Sequence, residues 1–380
     1  MPIYAIIYMP PSGRVEVGRD TAEICAMKAS RWSEGKAAEW AANSPWWVGC
    51  NFTPSTACNQ FEMWQADTFD IDTITRELQW ASHLGMNAVR VFLHDLVWLA
   101  DADGFKSRIE TFLQIAASVG IKTMPVLFDD CWFPPQAGPQ LDPIPGVHNS
   151  RWAQAPGHSV VGDPSQWPRL KDYVCDIVDA FGRDERVCVW DLYNEPGNAL
   201  LPLAALPNYR AIPRALARMA RHFVLPSPTL PLLRECFNWA RSTNPIQPLT
   251  VGIWAPIPRL NRLQLTASDV ISFHQYMDAR HLSETIDALQ QTHRRPVLCT
   301  EWMARPSRSR IQSHLPIFKK KQVGCFSWGL VSGRTQTIHK WRDPPGTPTP
   351  DYWHHDLLHP DGSPFSQEEV DTLRRLTNTG

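Results

Sequence analysis

Two glutamates stand out because each follows a short apolar run and has polar or aromatic neighbours. Glu195 lies in VCVWDLYNEP, and Glu301 lies in PVLCTEW. Two carboxyl groups that face one pocket can cleave a glycosidic bond, one by giving a proton to the leaving oxygen and the other by attacking the anomeric carbon. That chemistry requires the two runs to bring Glu195 and Glu301 to the same pocket.

Polar and aromatic residues also end the other apolar runs. His274 and Tyr276 are two residues apart, so a strand would present both on one face, and Glu301 would share a face with Cys299 in the same way. The remaining candidates for a substrate pocket are Arg90, Asn194 and Trp328, together with Trp254 and Trp302 at strand tips and Asp129, Asp130 and Trp132 in the stretch FDDCW.

Eight short apolar segments alternate with helical patterns, which predicts parallel strands joined by helices. Apolar spacings of three and four predict the helices, and Gly85, Gly120 and Gly182 occupy expected helix ends. No glycine-rich nucleotide motif follows any strand, and eight units favour an α/β protein with a (β/α)₈ barrel, or TIM barrel, over a doubly wound sheet. The predicted strands are 46–52, 87–93, 122–128, 187–193, 248–254, 270–276, 296–302 and 324–330.

Two segments fall outside this repeat. Residues 1–45 are expected to be an extension packed on the bottom of a single catalytic barrel that spans 46–380. Residues 199–228 are an insertion after the fourth strand, rich in proline and arginine. This insertion is either a solvated basic face or a lid, because loops after barrel strands surround the active site.

Composition excludes several functional classes. The net charge is -1, with 37 basic and 38 acidic residues in a chain of 380, so no electrostatic argument favours nucleic acid or an anionic membrane as a partner. The nine cysteines show no metal-binding or disulfide framework, and Pro10 and Pro11 interrupt the first apolar patch before it can form a signal-peptide core. These features predict a cytoplasmic location.

The order of motifs resembles that of the retaining β-glycoside hydrolases of clan A, and glycoside hydrolase family 5 in particular. The motifs are NEP on strand four, HQY on strand six, TEW on strand seven and FSWG on strand eight, and the resemblance spans about 46 to 358. It implies a carbohydrate substrate, hydrolysis of β-glycosidic bonds through a covalent intermediate, and no cofactor.

The resemblance also implies a role for each matching residue. Glu195 would be the acid/base and Glu301 the nucleophile. Asn194 would hold the sugar 2-hydroxyl, and Arg90 and Tyr276 would bind the nucleophile, with Arg90 keeping the pKa of Glu301 low. His274 would line the pocket, and Trp328 would lie under the sugar.

One stretch departs from the family pattern. Family 5 has a histidine close after strand three, whereas this chain has FDDCW. Asp129 and Asp130 either hold sugar hydroxyls or cap the following turn. The closing stretch YWHHDLLHP contains His354, His355 and His359, but it lacks the strand-borne carboxylates expected of a zinc site, so no metal is predicted.

Two other functions remain open from the sequence. One is a carbohydrate-binding barrel without turnover, and the other is a metal-dependent barrel hydrolase, which chelators would inactivate. The sugar and linkage, exo against endo action and the oligomeric state are also open, since the loops that would contact the sugar cannot be placed.

Overall fold

A computed structural model describes residues 27, 28, 30–198 and 227–377. Each of the eight predicted apolar segments contains one strand, and neighbouring strands pair in parallel. The hydrogen-bonded strands are shorter than the apolar segments. They are β1 (Val48–Asn51), β2 (Ala88–Phe92), β3 (Lys122–Val126), β4 (Trp190–Asp191), β5 (Leu249–Thr250), β6 (Ile271–Gln275), β7 (Val297–Trp302) and β8 (Gly324–Trp328).

The strands follow the order β5-β4-β3-β2-β1-β8-β7-β6, so the first and last strands of the chain are neighbours. Ile253, just after β5, forms a parallel bridge to Phe273 on β6, which brings the two outer strands together. Eight parallel strands arranged this way, with helices between them, form a nearly closed (β/α)₈ barrel. The predicted fold class is confirmed.

Helices connect the strands along the described part of the chain. They are α1 (Glu34–Ala42), α2 (Gln60–Trp64), α3 (Ile71–His83), α4 (Asp95–Ala100), α5 (Ala102–Ser118), α6 (His158–Val161), α7 (Trp167–Phe181), α8 (Thr229–Ser242), α9 (Pro258–Ala267), α10 (Ala279–His293), α11 (Ile311–Lys321) and α12 (Gln367–Thr377). Short 3₁₀ turns cover Pro164–Gln166 and Arg305–Ser307.

All three predicted glycines lie at the ends of helices. Gly85 and Gly120 have positive φ angles of 86° and 76°, which glycine adopts without the clash of a side chain. Gly182 has φ of -72° at the end of α7 and therefore does not use that freedom.

Apolar side chains from the amino ends of the strands fill the bottom of the barrel. The cluster contains Trp47, Ala88, Met124, Cys188, Val189, Val270, Leu298 and Phe326. Trp40 of α1 packs against this cluster, and the backbone N–H of Trp32 donates to Asp269 at 2.7 Å. The described part of the predicted extension therefore contacts the bottom of the barrel, while residues 1–26 lie outside the description.

At the opposite end, the loops after β3 and β8 are tied together by hydrogen bonds. Asn149 N–H donates to the Thr335 carbonyl at 2.9 Å, and Gly346 N–H donates to the Pro145 carbonyl at 2.7 Å. The Gln336 side chain accepts from Gly146 N–H at 2.8 Å. These bonds form one wall at the carboxyl ends of the strands.

The predicted insertion after β4 lies outside the described residues, apart from its last two positions, Ser227 and Pro228. Within the described ranges, no helix has the length and apolar character needed to cross a bilayer.

Candidate active site

Glu195 lies four residues beyond the end of β4 with its backbone in the left-handed region, at φ of 42°. Its two carboxyl oxygens have different partners. Oε1 is 2.9 Å from His274 Nδ1, and Oε2 accepts from Asn198 Nδ2 at 2.6 Å and from the Cys131 thiol at 3.3 Å. An unfavourable backbone conformation persists only where surrounding contacts fix it, and these contacts do so.

Glu301, near the end of β7, is 4% exposed and is held by two residues. Arg90 Nη1 donates to Oε1 at 3.0 Å, and the Tyr276 hydroxyl donates to Oε2 at 2.8 Å. The structure therefore places Arg90 and Tyr276 on Glu301, the contacts that the family resemblance implies.

His274 lies between the two glutamates. A register shift after Phe273 pairs His274 with Glu301 across β6 and β7. His274 Nδ1 is 2.9 Å from an oxygen of Glu195 and 3.4 Å from an oxygen of Glu301. One oxygen of each glutamate and a nitrogen of His274 all lie within 4.8 Å of one another.

Burial raises the pKa of both carboxyl groups to about 7. For Glu195 this matches the expectation for a proton donor. For Glu301 it differs from the expected low pKa, because loss of hydration and the nearby Glu195 charge outweigh the attraction of Arg90. Burial lowers the pKa of His274 to about 4, so its ring is neutral near pH 7.

Arg90 is fully buried and binds other residues besides Glu301. Its Nε and Nη2 donate to Asp191 Oδ2 at 3.0 and 2.8 Å, and its Nη1 donates to Asn51 Oδ1 at 2.7 Å. Asp191 therefore shares the charge of Arg90 with Glu301. Asp191 and Asn51 are not among the site residues predicted from the sequence. A carboxylate inside the apolar run VCVWDLY, facing opposite to Trp190 and Leu192, was the available signal for Asp191.

Asn194 precedes Glu195 and is also buried. Its Oδ1 accepts from Arg90 Nη2 at 2.8 Å, and its Nδ2 donates to Asp129 Oδ1 at 2.9 Å. Asp129 in turn accepts from Trp152 Nε1 at 2.7 Å. Asp129 thus holds the side chains of Asn194 and Trp152 in place at the pocket.

Asp130 is fully buried and points away from the glutamates into the β4 loop. It accepts from the Tyr193 hydroxyl at 2.6 Å, from Gly197 N–H at 2.6 Å and from the Thr229 hydroxyl at 2.7 Å. Of the two sequence interpretations, the structure supports a residue that fixes the turn after Glu195. The assignment of Asp130 to substrate binding was wrong.

Aromatic rings line the barrel mouth around the glutamates. Trp328, Trp152 and Phe92 pack edge to face, with Trp328 5.8 Å from Trp152, and the half-buried Trp132 and Tyr276 pack against the same cluster. Trp254 is half-buried beside the loop that carries Glu195, where its Nε1 donates to the Pro196 carbonyl at 3.1 Å.

Trp302 does not reach the pocket, so its assignment to substrate binding was wrong. Its ring stacks on His314 at 5.7 Å and meets Phe318 at 5.1 Å, both on α11. Successive residues of a strand face opposite sides, so Glu301 facing inward sends Trp302 outward against the helices.

The wall formed by the β3 and β8 loops adds aromatic residues that the sequence alone did not identify as site residues. Trp341, 37% exposed, lies edge-on to Tyr276 at 5.1 Å and to His354 at 4.4 Å. His355 and His148 pack behind it, 5.3 Å apart. Their loops carry no strand or helix pattern, so only the fold brings these rings close to Tyr276.

The histidines of the closing stretch do not belong to any group of three ligand atoms close enough to hold a metal ion, within the described residues. Among the described residues, only Glu195, His274 and Glu301 have ligand atoms close enough to hold an ion. Arg90 Nη1 already lies 3.0 Å from Glu301, and a divalent cation bound to that carboxylate would face the guanidinium charge. The donor set therefore fits hydrogen bonding better than metal binding.

Comparisons with known proteins reveal similarity at the level of structure. No family model matches the chain, and no curated protein matches it. An exo-β-1,4-mannosidase from Opitutaceae bacterium strain TAV5 has a TM-score of 0.57 and 17% identity, over 87% of this chain and 59% of that chain. This chain thus spans well under two thirds of that protein.

Two other solved structures give similar values. A GH5_18 variant from Streptomyces cattleya in complex with Manβ1-4GlcNAc has a TM-score of 0.58 and 15% identity, over 89% of this chain and 82% of that chain. A β-1,4-mannanase from the sea hare Aplysia kurodai has a TM-score of 0.52 and 15% identity, over 74% and 87%. These similarities therefore show that the chain has the TIM-barrel fold of these structures.

Proposed function

We propose that this protein is a retaining β-glycoside hydrolase, with Glu195 as acid/base and Glu301 as nucleophile. The observation that carries the proposal is that one carboxyl oxygen of Glu195, just after β4, and one carboxyl oxygen of Glu301, on β7, lie within 4.8 Å of each other. Retaining enzymes separate the carboxyl groups by about 5 to 5.5 Å, whereas inverting enzymes need roughly 6.5 to 9.5 Å to admit a water.

In the first step, Glu301 attacks the anomeric carbon while Glu195 gives its proton to the departing glycosidic oxygen. The product is a glycosyl ester on Glu301 and a free alcohol. Burial raises the pKa of Glu195 to about 7, so a fraction of the protein carries the proton on Glu195 near neutral pH, as this step requires. Arg90 and Tyr276 hold the Glu301 carboxylate in place for attack.

In the second step, Glu195 takes a proton from water, and the resulting hydroxide attacks the same carbon and releases Glu301. Esterification removes the negative charge of Glu301, so Glu195 can ionise more easily and act as base. Each of the two displacements inverts the anomeric carbon, so the product keeps the β configuration.

The aromatic mouth suits a sugar, because a pyranose presents an apolar face that stacks on a ring. Trp328, Trp132 and Tyr276 provide this surface within one cluster. β-Mannosides are the first substrates to test, since the similar structures are described as a mannosidase, a mannanase and a complex with Manβ1-4GlcNAc.

The test is a panel of aryl β-glycosides and β-linked polysaccharides assayed with wild-type protein and Glu301→Gln. We expect hydrolysis of at least one β-glycoside by wild type and a loss of at least 10³-fold (~4 kcal/mol) in kcat/KM for the variant. Glu284→Gln, which changes a glutamate exposed on α10, is the matched control and should keep full activity. Full turnover by Glu301→Gln would contradict the proposal.

Glu195→Ala tests the stereochemistry. With a good leaving group, azide should restore turnover and yield a β-glycosyl azide, because a small anion can attack the ester in place of water. An α product would exclude retention. Sugar binding without turnover across the panel would favour a carbohydrate-binding barrel, and loss of activity in chelators would favour metal-dependent hydrolysis.

A further inference from the structure

The stretch after β3 carries a buried thiol that the proposed mechanism does not yet use. Cys131 is 6% exposed, and its Sγ donates to Glu195 Oε2 at 3.3 Å. Burial raises the pKa of this thiol well above its usual value, so it keeps its proton and serves as a hydrogen-bond donor.

Cys131 belongs to a small set of polar side chains around one oxygen of Glu195. Asn198 Nδ2 donates to the same Oε2 at 2.6 Å and approaches Cys131 Sγ at 3.2 Å, and Asn194 Nδ2 approaches Sγ at 3.6 Å. Two donors therefore point at Oε2, while Oε1 faces His274. A proton on Glu195 is disfavoured on an oxygen that already accepts two hydrogen bonds, so it belongs on Oε1.

We propose that Cys131 is a positioning residue for the acid/base: with Asn198 it holds Oε2 of Glu195 and leaves Oε1 as the oxygen that exchanges the proton with substrate and water. The role of Glu195 as acid/base rests on the proposed function, but the hydrogen bond from Cys131 and its effect on the pKa of Glu195 do not depend on turnover. The left-handed backbone conformation at Glu195 is unfavourable for a glutamate and requires stabilising contacts, of which the hydrogen bond from Cys131 is one.

The hydrogen bond makes a directional prediction. A donor to a carboxylate stabilises the ionised form, so its removal raises the pKa of the carboxyl group. Cys131→Ala should therefore raise the pKa of Glu195, by about half a unit or more. Cys131→Ser replaces a weak S–H donor with a stronger O–H donor and should leave that pKa unchanged or lower it.

The pKa is measured by ¹³C NMR on protein labelled at glutamate Cδ, in a Glu301→Gln background where the second carboxyl group no longer titrates. The Glu195 signal is assigned by its absence in Glu195→Gln. Cys188→Ala is the matched control: Cys188 is also buried, at 5% exposure, and its thiol donates to the Thr123 carbonyl at the bottom of the barrel. This control should not move the pKa of Glu195.

An unchanged or lowered pKa of Glu195 in Cys131→Ala would overturn the inference. So would a shift of equal size and sign in Cys131→Ser and Cys131→Ala, since that would indicate general disturbance of the loop.

The titration is done in the Glu301→Gln background and requires no activity. Its result can therefore fail or succeed independently of the proposed function. If the panel gives no hydrolysis while Cys131→Ala still shifts the pKa, only the proposed function fails. If wild type is active, Cys131→Ala should also shift the alkaline limb of the kcat/KM profile to higher pH. An alkaline limb that stays at the same pH would contradict the positioning role of Cys131.

Discussion

At the scale of single residues, the charged groups of the site are arranged around Arg90, which pairs with two carboxyl groups. Arg90 is fully buried between Asp191 and Glu301, at 2.8 and 3.0 Å. A buried cation with two anionic partners divides its attraction between them, so the charge state of one partner affects the pKa of the other. We therefore expect the charge of Asp191 to affect the pKa of Glu301 through Arg90, without direct contact between the two carboxyl groups.

Neutralising Asp191 is predicted to shift the pH dependence of turnover. In Asp191→Asn, the charge of Arg90 acts on Glu301 alone, which lowers the pKa of Glu301. The acidic limb of kcat/KM, where the nucleophile becomes protonated, should move toward lower pH by about one unit. The measurement is a pH profile on the best substrate from the panel.

Asp176→Asn is the control for this change, because Asp176 pairs with Lys106 on the outer helices. It should leave the acidic limb in place. Because Asp191→Asn removes one of the two anionic partners of a buried guanidinium, circular dichroism must first show that the variant is folded at the assay temperature. An acidic limb that stays fixed or moves to higher pH would contradict the role of Asp191.

Sequence reasoning identified the two glutamates because both end apolar runs, and the fold then brought them together. Period-two alternation also contained the answer for Trp302, since a strand that turns Glu301 inward must turn Trp302 outward. The thiol of Cys131 carried no comparable signal. A cysteine between a carboxylate and a tryptophan is equally consistent with core packing, and only its distance from Glu195 assigns it to the site.

At the scale of elements, the wall made by the β3 and β8 loops determines which side chains surround Tyr276, the tyrosine that donates to Glu301. These loops have no periodic pattern, so the sequence predicts that loops follow these strands but does not predict which residues they contact. Main-chain hydrogen bonds such as Asn149 to Thr335 join them, and Trp341 lies on the β8 loop edge-on to Tyr276. The part of Trp341 that remains exposed is available to a substrate at the mouth.

Trp341→Ala is predicted to raise KM by about tenfold with a smaller change in kcat, because an aromatic contact contributes roughly 0.5 to 1.5 kcal/mol. Steady-state kinetics on an aryl β-glycoside measures both constants. Tyr352→Ala is the matched control, since Tyr352 is 44% exposed on the same loop but packs on Phe365. An unchanged KM would remove Trp341 from substrate binding.

At the scale of the whole molecule, the last helix is attached to the barrel by a buried ion pair. Arg305, 1% exposed, donates to Glu369 of α12 at 2.6 Å and to the carbonyl of Asp356 at 2.7 Å. Ser366 and Glu369 have the spacing of a capping box. The Ser366 hydroxyl does accept from Glu369 N–H at 3.4 Å, but the Glu369 carboxylate binds Arg305.

Glu369→Ala is predicted to destabilise the protein by about 3 to 5 kcal/mol, because it leaves a buried guanidinium without its anion. The midpoint of urea unfolding, followed by tryptophan fluorescence, measures the change. Glu368→Ala removes the exposed neighbouring glutamate on the same helix and should alter the midpoint little. Equal effects of the two substitutions would show that Arg305 does not depend on Glu369.

The left-handed backbone at Glu195 makes stability and turnover compete at one position. Asparagine and glycine adopt that conformation at lower cost than glutamate, so either would relax the loop after β4. Neither side chain can exchange a proton with a glycosidic oxygen. The chain therefore holds a carboxylate where its own backbone favours another residue, and the contacts of Asn198, Cys131 and His274 are the means by which it does so.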